Sequence, residues 1–133
     1  MNYPTSYRYT KDHEWIEANG GLGTIGLTDY AQCQLGDVVF VELPGLGVHL
    51  EAGKPFGIVE SVKTASDIYA PVSGEVVEVN GDLKDAPEIL NSDPHGGGWL
   101  VKVRFRHPAE IESLMDAAAY RAYVALPSKD ASD

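Results

Sequence analysis

One lysine, Lys63, stands where its amine could be held out for chemistry. It lies in the stretch "VESVKTASDIYAP", between two runs that favour β-strands and that we predict over 56–61 and 65–69. A tight hairpin on a rigid sheet presents its tip in a fixed position, and small residues beside the lysine leave room for an enzyme. Acylation would remove the charge and make the side chain a long tether that carries a reactive group between active sites. The alternative is an ordinary solvated lysine, which is what most lysines are.

Short strands separated by glycine turns are predicted on both sides of this hairpin. They cover 14–17 and 22–27, joined by a turn at Asn19, Gly20 and Gly21, and then 38–43, 74–79 and 99–105. Two strands echo one another, because "GDVVFV" and "GEVVEV" share the order Gly-acid-Val-Val-x-Val. The echo indicates two pseudo-equivalent halves of one β-domain, and the many short strands indicate a sandwich or flattened barrel.

Helices are predicted at two places along the chain. Thr28 is a candidate N-cap for a short helix that Gly36 ends. A second helical region is expected over about 108–125, where Pro108 suits the first turn and Asp116 is a candidate cap for a further helix.

Length and charge bound the class of protein. The chain has 133 residues, which suits one domain, expected over 1–126, with the first ten residues loosely held and a disordered tail over 127–133. The net charge of -10 argues against nucleic acid or an anionic membrane as a partner, since either would need a basic patch. The same charge favours partners with basic docking surfaces.

The single cysteine, Cys33, excludes an internal disulfide and fits a reducing compartment. We expect it to be a packed thiol rather than a nucleophile. No apolar run approaches membrane-spanning length, and the first fifteen residues have no apolar core like that of a signal peptide. The expected location is the bacterial cytoplasm, or the mitochondrial matrix only if a presequence has been removed.

The segment "ESVKTASDIYAPVSGEVVEVN" resembles the lipoyl-attachment segment of the glycine cleavage system H protein family. The stretches "YTKDHEWIE", "GTIGLTDYAQCQLGDVVFVELP" and "GWLVKVRF" resemble the same family in the same order, so the likeness covers residues 7–123. It implies a mainly β fold of the lipoyl/biotinyl type, a flattened barrel or sandwich of two small sheets. Pseudo-two-fold symmetry and a C-terminal helical extension are part of that expectation. Two loop positions, Gly45 and His95, depart from the usual family pattern.

By this resemblance, Lys63 carries lipoate in amide linkage, and the protein is a carrier without catalytic activity of its own. It would shuttle the aminomethyl group of glycine from a pyridoxal-phosphate glycine decarboxylase (P protein) to a tetrahydrofolate-dependent aminomethyltransferase (T protein). It would then pass electrons to dihydrolipoamide dehydrogenase (L protein). A lipoate–protein ligase or octanoyltransferase would modify Lys63. We expect a monomer that binds neither nucleic acid nor membrane.

Lys63 with lipoate attached forms a long arm. Three acids are candidates for contacts with this arm or with the enzyme that attaches the lipoate. Glu14 and Asp67 are candidates for the carboxylates that hold a protonated amine in a cleft, and the alternative for each is a solvated surface acid. Glu60, three residues before Lys63, is a candidate for recognition during lipoylation, or simply an exposed charge.

Other functions are weighed against this one. A biotin carrier is disfavoured because Val62 and Thr64 replace the methionines that usually flank its lysine, and the lipoyl domain of a 2-oxoacid dehydrogenase usually belongs to a longer chain. A lipoyl donor to 2-oxoacid dehydrogenases stays open as the alternative. A hydrolase or metal enzyme has no support, because His13 and Glu14 lack the second histidine of H-E-x-x-H, so no metal site is expected.

Overall fold

Antiparallel β-sheets build most of the protein. The computed structural model describes residues 3–125. The strands in this range are β1 (Arg8–Tyr9), β2 (Glu14–Asn19), β3 (Leu22–Leu27), β4 (Val38–Glu42), β5 (His49–Leu50), β6 (Pro55–Ser61), β7 (Ala65–Tyr69), β8 (Gly74–Val79) and β9 (Val101–Phe105). The helices are α1 (Asp29–Leu35), α2 (Asp82–Asp85), α3 (Ile89–Ser92), α4 (Pro108–Glu112) and α5 (Ala117–Ala125).

The strands form two sheets whose inner faces share a core. A six-stranded sheet has the order β1-β2-β3-β9-β8-β5, and a three-stranded sheet has the order β4-β6-β7. Buried side chains from both sheets meet in one apolar cluster that includes Leu27, Val38, Val59, Ile68 and Leu100. Burial of this apolar surface is the main force that holds the sheets together. The predicted mainly β sandwich of two sheets is confirmed, and the two echoing strands, β4 and β8, lie in different sheets.

Helix α1 follows the sequence prediction at both ends. Thr28 accepts a hydrogen bond from Ala31 N through its side chain, and Gly36 ends the helix with a φ of 79°, where glycine is favoured. Ala31 and Leu35 are buried, whereas Cys33 is exposed, so the expectation of a packed thiol is wrong. Two residues span about 200° of a helix, which turns Cys33 away from the buried face.

The expectation of a loosely held N-terminus is also wrong. Tyr3 is 3% exposed and Tyr9 is fully buried. Tyr9 belongs to β1, and its ring stacks on that of Tyr120 with a centroid distance of 4.7 Å. The partner ring comes from α5, so no local pattern near residue 9 could have indicated this contact.

The C-terminal helices begin where the sequence predicts. Pro108 is the first residue of α4, and Asp116 caps α5 by accepting a hydrogen bond from Ala119 N at 2.8 Å. Within residues 3–125, no helix is long and apolar enough to cross a membrane. The expected domain over 1–126 and tail over 127–133 extend beyond the described residues and stay predictions.

Candidate functional site

Lys63 lies at the tip of the β6–β7 hairpin, as predicted, and its side chain is exposed. The tip is closed by a backbone hydrogen bond from Ser61 N to Thr64 O of 2.8 Å. The Ser61 hydroxyl also accepts hydrogen bonds from the backbone N–H groups of Lys63 and Thr64, at 3.3 and 3.2 Å. Ser61 therefore orders the loop from within, a role beyond the small size for which the sequence singled it out.

The tip is also fastened to the body of the protein. Val62 N donates a hydrogen bond of 3.0 Å to the carbonyl of Asp37, just before β4. Asn91 holds that same segment, since its Oδ1 accepts from Val38 N at 2.9 Å and its Nδ2 donates to Gly36 O at 2.8 Å. The sequence carried no signal for Asn91, because its partners lie more than fifty residues away.

The methylene chain of Lys63, called its stem below, lies over the C-terminal end of α1. A Cβ built on Gly36 would stand 3.3 Å from Lys63 Cε and 3.9 Å from its Nζ. The carbonyl end of a helix carries partial negative charge, which favours a cation at this place while the lysine is unmodified. Lys63 makes no ion pair with any described residue, so acylation would break no salt bridge.

A small cavity of about 170 Å³ lies between α1 and the strands of the hairpin. Leu35 lines it, and the next residue, Gly36, contacts the lysine. The cavity is bounded by α1, the loop before β2, and the two strands of the hairpin. Glu14 and Asp67 both line it, so the structure brings the two candidate acids together around one space.

Glu14 is almost fully buried, with 2% of its surface exposed, so it is not a solvated surface acid. Its Oε1 accepts a hydrogen bond of 2.5 Å from the Thr10 hydroxyl, and its Oε2 accepts one of 3.3 Å from Tyr69 N. Burial raises the pKa of Glu14 to about 7, and the two hydrogen bonds oppose that rise. Asp67 differs from it, because its side chain is exposed.

His13, which lines the cavity, belongs to a hydrogen-bonded network that holds its wall in place. His13 has a φ of 72°, in the left-handed region that few non-glycine residues adopt. Its Nδ1 lies 2.8 Å from the Tyr120 hydroxyl, which in turn lies 2.7 Å from Thr28 Oγ1. Burial lowers the pKa of His13, which favours a neutral ring. This network ties the loop before β2 to the start of α1 through the C-terminal helix, and the sequence did not predict it.

The remaining sequence candidates lie apart from the cavity. Glu60 is exposed on the outer face of the small sheet, where Phe40 and Ala65 are its cross-strand neighbours. Its role in recognition stays a prediction. His95, one of the two loop positions that depart from the usual family pattern, accepts a hydrogen bond of 3.0 Å from Asp29 N at the start of α1. Among the described residues, no three His, Cys, Asp or Glu side chains are grouped to hold a metal ion.

A β-sandwich that fixes one exposed lysine at a pinned hairpin tip defines a class, the carrier domains that hold a prosthetic group through a lysine amide. The family model described as "Glycine cleavage H-protein" matches residues 7–126. The chain belongs to this family, whose members are carrier proteins.

Individual relatives agree with the family model. Proteins called glycine cleavage system H protein from Symbiobacterium thermophilum and Phenylobacterium zucineum are 54% and 58% identical to the chain. The alignments cover 92% of this chain and 95% of the first relative, and 89% of this chain and 98% of the second. A crystal structure of a glycine cleavage system H protein from Mycobacterium marinum has a TM-score of 0.86 at 42% identity, covering 93% of this chain and 100% of the other.

Proposed function

We propose that the protein is the lipoyl carrier of a glycine cleavage system, with lipoate attached to Lys63. The observation that carries this proposal is the placement of Lys63, exposed at the hairpin tip with its stem across Gly36, the residue that follows the cavity-lining Leu35. The fit is good, because the amine is accessible, Gly36 leaves room for the stem, and Leu35 and Val59 offer an apolar wall.

Lipoate, when bound, supplies a disulfide that accepts an aminomethyl group together with two electrons. The group is given up first, and the two electrons are given up when the dithiol is reoxidised. The chain's own residues then bind, orient and shield the end of the arm. Amide formation at Lys63 removes the positive charge, which lets the stem lie against apolar side chains without desolvating an ammonium group. The carrier itself performs no chemical step in this proposal.

Glu14 and Asp67 are the groups that hold a protonated amine at the end of the arm. A buried carboxylate that already accepts two hydrogen bonds is oriented before the amine arrives. An ammonium group in the cavity favours the ionised form of Glu14, so binding the amine and releasing the Glu14 proton are coupled. Asp67 adds a second negative charge at the same cavity.

The partners follow from the same proposal. The arm visits the glycine decarboxylase, the aminomethyltransferase and dihydrolipoamide dehydrogenase, and the tether raises its effective concentration at each. A lipoate–protein ligase or octanoyltransferase modifies Lys63, and Glu60 contributes to its recognition of the hairpin. The carrier acts as a monomer in the bacterial cytoplasm. The names of the relatives favour this role over that of a lipoyl donor to 2-oxoacid dehydrogenases.

The test is the intact mass of the protein after incubation with lipoate–protein ligase, lipoate and ATP, followed by peptide mapping. One lipoyl increment on Lys63, absent from Lys63→Arg, is the expected result. The modified protein should then support glycine–bicarbonate exchange by the decarboxylase, whereas Lys63→Arg should not. An unmodified Lys63, or a modified protein that is inert in the exchange, would overturn the proposal. An unchanged lipoylation rate of Glu60→Gln would remove Glu60 from recognition.

A further inference from the structure

Three large apolar side chains are exposed near the backbone of Lys63 at the hairpin tip. Val39, Phe40 and Val62 have 53%, 47% and 71% of their surface exposed. Val38 is the cross-strand partner of Ser61, so Val39 and Val62 flank that pair on its two sides. Single exposed apolar residues are ordinary, whereas several that lie close together in the fold favour a contact surface. We call these three side chains the apolar strip.

A β-bulge creates the strip. The register of β4 against β6 shifts between Val38 and Phe40, with Phe40 opposite Glu60. Val38 is buried, so in a regular strand the alternation of side chains would turn Val39 outward and Phe40 into the core, but the bulge leaves both Val39 and Phe40 exposed. A groove of about 310 Å³ continues from Phe40 and is bounded by Leu43 and Val79.

The backbone beside the strip is already occupied by the chain itself. The N–H of Val38 is bound by Asn91, and the carbonyl of Asp37 by Val62. These two groups are therefore not available to an added strand, so a partner at this point must contact side chains instead.

Acidic side chains lie beside the apolar strip, and one basic side chain, Lys84, lines the groove that continues from it. Asp37, Glu42 and Glu60 are exposed, and none of them forms an ion pair with a described residue. Such a surface is complementary to a partner that offers an apolar contact with basic side chains around it, and the charges would raise the rate of encounter.

The position of the strip indicates which partner docks there. Enzymes that act on the sulfur atoms work at the far end of the arm, so their chemistry does not require contact at the lysine. The enzyme that acylates Lys63 must instead bring its reaction centre to bonding distance of Nζ, and Val62 is the neighbouring residue. We propose that the apolar strip is the docking surface of the enzyme that attaches the lipoyl group, an inference that rests on the proposed function.

The reaction that attaches lipoate to Lys63 balances with ATP as co-reactant. Lys63 Nζ, as the free amine, attacks the carboxyl carbon of lipoate that the enzyme has activated with ATP. The amide bond forms, AMP leaves, and the nitrogen gives up a proton. Pyrophosphate is released when the carboxyl is activated, so no oxidant or reductant is required.

The experiment measures initial rates of lipoylation by lipoate–protein ligase with lipoate and ATP, read from intact mass. Val39→Ser/Phe40→Ser should raise the KM for the carrier about tenfold or more, with kcat little changed. Phe40→Ser alone should show a smaller rise, which keeps the test valid if the double variant is poorly folded. Leu22→Ser is the matched control, because Leu22 is 40% exposed in the other sheet, and its KM should stay at the wild-type value.

Two further measurements separate docking from other effects. The rate at which acetic anhydride acylates Lys63, followed by peptide mapping, should equal that of wild type, because the strip does not act on the amine itself. Variants lipoylated with excess ligase should be reduced by dihydrolipoamide dehydrogenase at the wild-type rate. The assignment is overturned by an unchanged KM with ligase, by an equal loss with the anhydride, or by an equal loss with the dehydrogenase. If wild type itself is not lipoylated, it is the proposed function that fails.

Discussion

The stem of Lys63 lies across Gly36, and a Cβ at Gly36 would stand 3.3 Å from Lys63 Cε. The same glycine ends α1 with a φ of 79°. Gly36 therefore ends the helix and, because it has no Cβ, also makes room for the Lys63 side chain that extends from the hairpin. The neighbouring Leu35 lines the cavity, so Gly36 links the wall of the cavity to the lysine side chain.

Replacing Gly36 with Ala should harm both stability and shielding. The backbone of Gly36, with a φ of 79° and a ψ of -156°, lies in a region that essentially only glycine adopts, which costs a residue with a Cβ about 1–3 kcal/mol. The added methyl also pushes the stem of Lys63 away from α1. Urea unfolding measures the first effect, and release of formaldehyde and ammonia from the loaded, lipoylated carrier measures the second. Gly53→Ala is the control, because Gly53 has a φ of 84° but no atom within 4 Å of its would-be Cβ. Equal release rates in the two variants would contradict a role for Gly36 in placing the arm.

Removing either cavity acid should expose the loaded arm. Glu14→Gln and Asp67→Asn keep the size of each side chain but withdraw the negative charge that holds a protonated amine. We expect formaldehyde and ammonia to be released several-fold faster, with the larger effect for the buried Glu14. Glu60→Gln, whose side chain does not line the cavity, is the matched control. Release no faster than wild type in both cavity variants would refute the shielding role.

Burial of Glu14 should make stability depend on pH. Its pKa is about 7 in the folded protein against an ordinary value of 4.5. Between these pH values the folded protein keeps a proton that the unfolded chain has released. Stability therefore falls as pH rises through this window and stays lower above it, by about 3 kcal/mol.

Glu14→Gln should flatten this dependence. Urea unfolding at pH 4 and pH 8 measures it, and the quantity of interest is the difference between wild type and variant. The lowered pKa of His13 acts in the opposite direction near the upper part of the window, but it is common to both proteins and cancels. Glu60→Gln should keep the wild-type dependence, and a wild-type dependence in Glu14→Gln would show that burial of Glu14 is not its source.

Tyr120→Phe should destabilise the protein by about 1–3 kcal/mol, because the buried Thr28 and the half-buried His13 both lose the hydroxyl as a hydrogen-bond partner. Those partners are His13 Nδ1 at 2.8 Å and Thr28 Oγ1 at 2.7 Å. Chemical unfolding measures the effect. Tyr123→Phe is the control, because its hydroxyl reaches only the exposed carbonyl of Lys11, and a similar loss there would contradict the special role of Tyr120.

Local signals in the sequence predicted most of the framework. The Thr28 cap, the end of α1 at Gly36 and the hairpin around Lys63 each depend on residues within a few positions of one another. Such contacts leave a short, recognisable pattern. The wrong expectation for Cys33 could have been avoided in the same way, because its spacing from Ala31 and Leu35 places it on the other side of the helix.

The environment of the site could not be predicted in this way. Glu14 is buried because residues distant in sequence, among them Tyr69, supply its partners and walls. Tyr9 is ordered by Tyr120, and Asn91 holds the segment beside Lys63 from more than fifty residues away. Each of these contacts is determined by the packing of the two sheets and the C-terminal helix, which a local pattern does not encode.

The double fastening of the hairpin tip has a consequence for the thermodynamics of docking. Ser61 orders the loop from inside and the carbonyl of Asp37 holds Val62 from outside, so the Cα of Lys63 is a stationary pivot. A mobile loop would lose backbone entropy worth about 1–2 kcal/mol per residue each time a partner immobilised it. Here only the torsions beyond the pivot are frozen on binding, and the same low entropic cost is repeated at every partner that the arm visits.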